Sequence, residues 1–173
     1  MTYSIGSAAR ILGSLSAVDG KGSVCIQDRI ATDIDDLWSA FTEPQRLARW
    51  LGEIDGDLRP GGKFRAHFLA TGWEGLGRVE VCEPPRRLLV RTTGSDEHDE
   101  HVIEATFTSD GDHTVLVVEE RGMPLDHVAG YGAGVQVHVE DLAAYLAGQQ
   151  RCDSGQRMVE LYPLYQGLNH RLR

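Results

Sequence analysis

The sequence predicts an α+β fold, in which an antiparallel sheet is covered by one long helix toward the C-terminal end. Two observations carry this. Strand-like runs follow one another from residue 52 to residue 121 across turns too short for a crossover helix, which makes an antiparallel meander. Residues 125–149 then change period. At about 100° per residue, Val128, Tyr131, Val135, Val139, Leu142 and Leu146 share one face, while Gln136, Asp141 and Gln149 fall elsewhere. An apolar stripe of this kind marks a helix lying on a core, with Pro124 before it as a start signal.

The first 22 residues read as a leader. Ile5, Ala8, Ala9, Leu12 and Leu15 suit a short amphipathic helix or a flexible terminus, broken by Gly20 and Gly22. Residues 23–30 alternate as a first strand. Residues 31–51 read as two short helices. One is capped by Thr32 or Asp33 and carries Ile34, Leu37, Trp38 and Phe41; the other starts at Pro44 and carries Leu47, Trp50 and Leu51.

The meander begins with a strand at 53–58, closed by the turn Arg59-Pro60-Gly61-Gly62. Residues 63–70 place Phe64, Ala66 and Phe68 on one face, and Thr71-Gly72 turns into a strand at 73–82. Pro84-Pro85 ends that strand, since proline has no N–H for the ladder. A strand at 86–92, an acidic loop at 94–100 and a hairpin of 101–108 with 114–121 across Asp110-Gly111-Asp112 complete it. The remainder, 150–173, reads as a helical tail started or interrupted near Pro163.

At 173 residues one domain is expected, with 41% apolar and 25% charged residues as in ordinary globules. The net charge of -9, without a Lys/Arg cluster, repels phosphate backbones and argues against nucleic acid as a partner. No stretch is long and apolar enough to insert into a membrane, and the N-terminal segment lacks a signal-peptide pattern. Three separated cysteines, Cys25, Cys82 and Cys152, without a CxxC, argue for a reducing, cytoplasmic setting.

The order of elements resembles the START-like, or SRPBCC, helix-grip fold, and the residues agree. The segments TDIDDLWSAFTEPQRLARWL at 32–51, GDLRPGGKFR at 56–65 and GRVEVCEPPRRLLV at 77–90 are similar to motifs of the branch named after the heat-shock ATPase activator. RGMP at 121–124 and DLAAYLAG at 141–148 match its last strand and helix end. The resemblance spans roughly 23–148 and leaves leader and tail uncovered. It implies a curved sheet gripping the long helix with a cavity between them, in which members hold lipids, sterols or polyketides and some catalyse cyclisation.

Candidate ligand-contacting residues follow. Phe64, Phe68, Tyr131, Val135 and Val139 line either a filled core or an open pocket, and Gly132 on the inward face leaves room for something else. Trp50 and Trp73 are placed at cavity mouths, or in ordinary packing. Glu120 is in phase with Leu116 and Val118; if that phase faces inward, its carboxylate is positioned to orient a ligand or act as a base. His67 alternates with Phe64, Ala66 and Phe68 and faces water, while His138 flanks the helical stripe. The group Asp96, Glu97, His98, Asp99, Glu100 and His101 reads as a solvated loop rather than a metal site, and no metal or cofactor is implied. The expected function is binding of a small apolar or amphipathic molecule, lipid-, sterol- or polyketide-like. The alternatives are an enzyme such as a cyclase or hydrolase of a bulky apolar substrate, and a co-chaperone-like partner binder. Apolar residues in leader and tail make a homodimer the expected assembly.

Overall fold

The structure is a computed structural model and describes residues 10–95 and 98–172. Its strands are β1 (Gly13–Val18), β2 (Lys21–Ile30), β3 (Gly52–Gly56), β4 (Lys63–Phe68), β5 (Glu74–Glu83), β6 (Arg87–Gly94), β7 (His101–Asp110) and β8 (His113–Pro124). The helices are α1 (Ile34–Thr42), α2 (Pro44–Trp50), α3 (Val128–Leu146) and α4 (Ser154–His170). The eight strands form one antiparallel sheet in the order β1-β2-β8-β7-β6-β5-β4-β3. β3 to β8 run as a meander, and β2 closes onto β8 around α1 and α2. This is the helix-grip fold, with α3 as the gripped helix.

Local chemistry explains the short elements. Asp33 caps α1 by accepting a hydrogen bond from the Asp36 amide at 2.8 Å, and Pro44 opens α2, where its missing N–H costs nothing. The outer face of the sheet is polar. Arg87 donates to Glu104 at 2.6 Å, Arg91 pairs with Glu80 at 2.7 Å and Arg121 with Glu119 at 2.8 Å, so the helices need cover only the inner face.

Three expectations about the framework are corrected. Residues 13–18 of the leader form a strand rather than a flexible terminus or a short helix; Ile5, Ala8 and Ala9 lie outside the described residues. Asp19 (φ 52°) and Gly20 (φ 75°) make the two-residue turn that pairs β1 with β2, with Val18 opposite Lys21. The tail is not interrupted at Pro163: α4 runs through it from its cap at Asp153, and Leu161 and Tyr165 are fully buried against the rest of the chain. α3 therefore has neighbours on two sides, and Gln136 and Asp141 are wholly buried, not turned outward.

Gln136 is fully paired, whereas Asp141 uses one carboxylate oxygen and its buried Oδ2 has no hydrogen-bond partner among the described residues, with Arg151 3.9 Å away. Gln136 accepts from the Leu12 amide at 3.1 Å and from the Tyr165 hydroxyl at 2.5 Å, and donates to the Arg10 carbonyl at 2.5 Å. Asp141 accepts from the Cys152 amide at 3.0 Å, tying the turn before α4 to α3. Burial raises the Tyr165 phenol pKa well above its ordinary value, so it stays a donor. Among the described residues no helix is long and apolar enough to cross a membrane.

Candidate functional site

Two chambers lie between the sheet and its helices. The inner one, about 190 Å³, is bordered by side chains of α1 and α2 and by β3 to β8. Its lining includes Trp38, Phe41, Leu51, Phe64, Val79 and Val90, and it is aliphatic or aromatic apart from Thr42, Cys82 and Thr92. The outer one, about 340 Å³, is bordered by Phe68, the turn Thr71-Gly72, Trp73, one stripe of α3 and Met158 of α4. Phe68, Thr92 and Ile103 belong to both walls, so the chambers adjoin.

The aromatic wall is built by spacing. Phe68 ends β4, and Trp73 returns after the turn to stack on it at 4.9 Å between ring centroids. A Cβ on Gly75 would sit 2.5 Å from the Trp73 ring, so glycine there lets the indole lie against the strand. Gly77 does the same for Phe64. On the helix, Tyr131, Gly134, Val135 and His138 recur at three- and four-residue steps and border the outer chamber.

The polar groups of the outer chamber come from both layers. Register places Thr92 opposite His101 and Ile103 opposite Glu120, so all four point to the inner face of the sheet. Glu120 is 7% exposed and lines the chamber; its Oε1 lies 3.3 Å from Nδ1 of His101, which is 2% exposed. The His101 ring stands edge-on to Tyr131 at 4.9 Å. From the helix side, His138 meets the Phe68 ring edge-on at 5.1 Å. Burial pulls its pKa down to about 4, so the imidazole is neutral near pH 7. Its Nδ1 is buried and has no hydrogen-bond partner among the described residues.

The predicted site residues thus separate. Phe64, Phe68, Trp73, Glu120, Tyr131 and Val135 border one chamber or the other. Trp50 does not stand at a mouth: it is 2% exposed, its indole donates to the Ala40 carbonyl at 3.0 Å, and it packs on Phe41. Val139 is buried in the solid core beside Leu142, away from both linings. Gly132 leaves room for Tyr165 of α4, not for a ligand; a Cβ there would lie 2.5 Å from the Tyr165 ring. His67 is exposed, 3.9 Å from Glu74.

His101, read with the solvated acidic loop, is the main omission. It begins β7 and alternates inward with Ile103, Ala105 and Phe107, a period-2 signal present in the sequence. His98, Asp99 and Glu100 stay on the surface, and Asp96 and Glu97 lie outside the described residues. Among the described residues no group of three or more His, Cys, Asp or Glu side chains is arranged to hold a metal ion.

A curved sheet wrapped on a helix, with adjoining chambers between them, defines a START-like helix-grip domain. The sequence model described as Activator of Hsp90 ATPase homolog 1-like protein matches residues 31–147, and the chain belongs to that family. Among solved structures, CalU16 from Micromonospora echinospora is similar in its crystal form at 26% identity and TM-score 0.75, covering 91% of this chain and 96% of that one. DynU16, a protein of the dynemicin biosynthetic locus, is 29% identical with TM-score 0.69; the match covers 76% of this chain and 50% of DynU16. An HSP90 activator from Plasmodium falciparum shares the fold at 24% identity and TM-score 0.52, over 60% of this chain and 74% of that one. No curated protein matches the chain.

Proposed function

We propose that this protein binds a small apolar or amphipathic molecule, lipid-, sterol- or polyketide-like, in the space between sheet and α3. The observation that carries this reading is the pair of adjoining chambers, the inner one almost wholly carbon-lined. Ligand sites are typically apolar concavities with a few placed polar groups, and Glu120 and His138 are such groups. Similarity to a protein of the dynemicin biosynthetic locus supports a polyketide-like ligand. Native mass spectrometry of the purified chain incubated with extracted lipids and metabolites tests it. A retained small molecule is expected, and a chain that retains nothing refutes the reading.

One observation favours a second reading, that the chamber also does acid–base chemistry on a bulky apolar substrate. Glu120 borders the chamber and His101, which lines neither chamber, stands behind it with its Nδ1 3.3 Å from the Glu120 carboxylate; a carboxylate beside an imidazole is a common proton-transfer pair. A ligand recovered chemically altered by the wild type and unaltered by Glu120→Gln is the expected result; recovery unaltered from both rejects catalysis.

We also propose self-association through the outer face of α4. The apolar residues Leu12, Leu15, Leu161 and Tyr165 pack within the chain itself, but Val159, Tyr162 and Leu164 of α4 are exposed. Light scattering at micromolar concentration should give a dimer mass; a monomer mass rejects it.

A further inference from the structure

We propose that one elongated amphipathic ligand spans both chambers, with an unsubstituted hydrocarbon end in the inner one and its polar end in the outer one. The inference rests on the binding reading above and assigns the ligand's shape and direction, together with the residues that limit its length. It comes from the sizes and linings of the two spaces. The inner chamber, about 190 Å³, is smaller than the roughly 300–1,000 Å³ of an ordinary ligand pocket, and the outer one, about 340 Å³, stands at the low end of that range. The two meet at a waist of Phe68 from β4, Thr92 from β6 and Ile103 from β7, so a single molecule can reach from one into the other.

Burial and polarity fix the direction. Every residue lining the inner chamber is buried or half-buried, whereas Thr71, Gly72 and His127 at the outer one are exposed. The inner lining offers little to a polar group; the Thr42 hydroxyl is already spent on the Trp38 carbonyl, to which it donates at 2.8 Å. A polar atom carried there loses its hydration with little in return, and water is a poor occupant for the same reason. A carbon-lined space left empty forfeits dispersion contacts along its walls, and a hydrocarbon end restores them. At the outer chamber the exposed border lets a polar end keep its water. Ala105, 3% exposed and inward on β7 between Ile103 and Phe107, is the smallest side chain of the inner lining, so enlarging it shortens the space available to the tail.

The test uses the full chain and a series of para-alkylphenols, methyl to octyl, titrated by calorimetry at neutral pH. Affinity should rise about fourfold with each added methylene until the tail fills the inner chamber, and then level off. Ala105→Ile should bring the levelling to a shorter tail while the methyl compound binds as it does to the wild type. Ile103→Trp narrows the waist and should abolish the rise. The hexyl compound carrying a hydroxyl at the end of its tail should bind about tenfold more weakly than para-hexylphenol, because that hydroxyl must enter the apolar end. If Ile103→Trp fails to fold, the wild-type series and Ala105→Ile still decide. Affinity independent of tail length, equal binding of the two hexyl compounds, or a length profile unchanged in the folded variants overturns the inference and leaves the binding reading standing. If no alkylphenol binds, the inference falls, and native mass spectrometry against extracts decides the binding reading separately.

Discussion

Two stripes of α3 carry residues of similar size and meet different surroundings. Residues 130, 131, 134, 135 and 138 recur at three- and four-residue steps and border the outer chamber. Residues 132, 136 and 140 recur at every fourth position and lie against α4, where Tyr165 sits over Gly132 and bonds Gln136, and Arg157 donates to Glu140 at 2.6 Å. Glycine occurs on both stripes. At Gly132 the room is taken by a ring from 33 positions later in the chain, numbers 132 and 165; Gly130 and Gly134 border the outer chamber, where a Cβ would meet the edge of the Tyr162 ring at 3.9 Å and the Thr71 methyl at 3.3 Å. A missing side chain creates a gap, and whether the gap becomes a cavity depends on whether another element has a group of the right shape to fill it.

The largest expected effect breaks the packed stripe. Gly132→Leu should drive a side chain into Tyr165 and separate it from Gln136, costing about 3 kcal/mol or more from overpacking plus a lost buried hydrogen bond. The melting temperature should fall by roughly 6–12 °C; a shift within two degrees would mean that α4 does not hold the place assigned to it. Trp38→Ala should cost about 3 kcal/mol, at the low end for a large aromatic, because its ring packs edge-on to Phe107 at 5.4 Å on one side and borders the inner chamber on the other. Chemical denaturation checks this, and a loss below 1 kcal/mol would place Trp38 outside the core.

The third prediction concerns pH. His138 has a folded pKa of about 4 against an unfolded value near 6.5, so between these values the unfolded chain binds more protons. Stability should be independent of this group above about pH 6.5 and should fall as pH drops from there to about 4, by up to about 3 kcal/mol. His138→Phe should flatten that part of the curve; an unchanged acid limb would show that another group sets it. The smallest stability effect is expected on the chamber stripe. Val135→Trp should enter the outer chamber at a cost within about 1 kcal/mol, far below that of Gly132→Leu, and should weaken uptake of an apolar fluorescent probe. A strongly destabilised Val135→Trp would mean that the two stripes are equally packed.

Much of the framework was legible because it depends on neighbours in sequence. Alternation, turns at Thr71-Gly72 and Asp110-Gly111, and the proline stop at Pro84-Pro85 located the meander to within a few residues. Asp19-Gly20 carried the same kind of signal for β1: an Asp-Gly turn with positive φ at both positions is a hairpin turn, and reading Gly20 only as a breaker left a flexible terminus or a short helix where a strand lies. His101 was equally readable, since the alternation that placed Ile103 and Phe107 inward extends to it. The placement of Trp50 was not, because its burial depends on how α2 packs against α1.

By itself the sequence determined the α+β class, the order of strands and helices from β2 to α3, and the family, all of which follow from local period and short motifs. It also determined that Phe64, Phe68 and Val135 turn inward. Tertiary structure alone decided which inward positions face a void and which face a second helix. Gly132, Gln136 and Asp141 are settled by α4 and the segment at Arg10 to Leu12, which pack on the flank of α3 beside the β1 edge of the sheet. A helical period records that a face is buried but not what buries it; that depends on a contact with a distant segment, whose own period is equally silent about its partner.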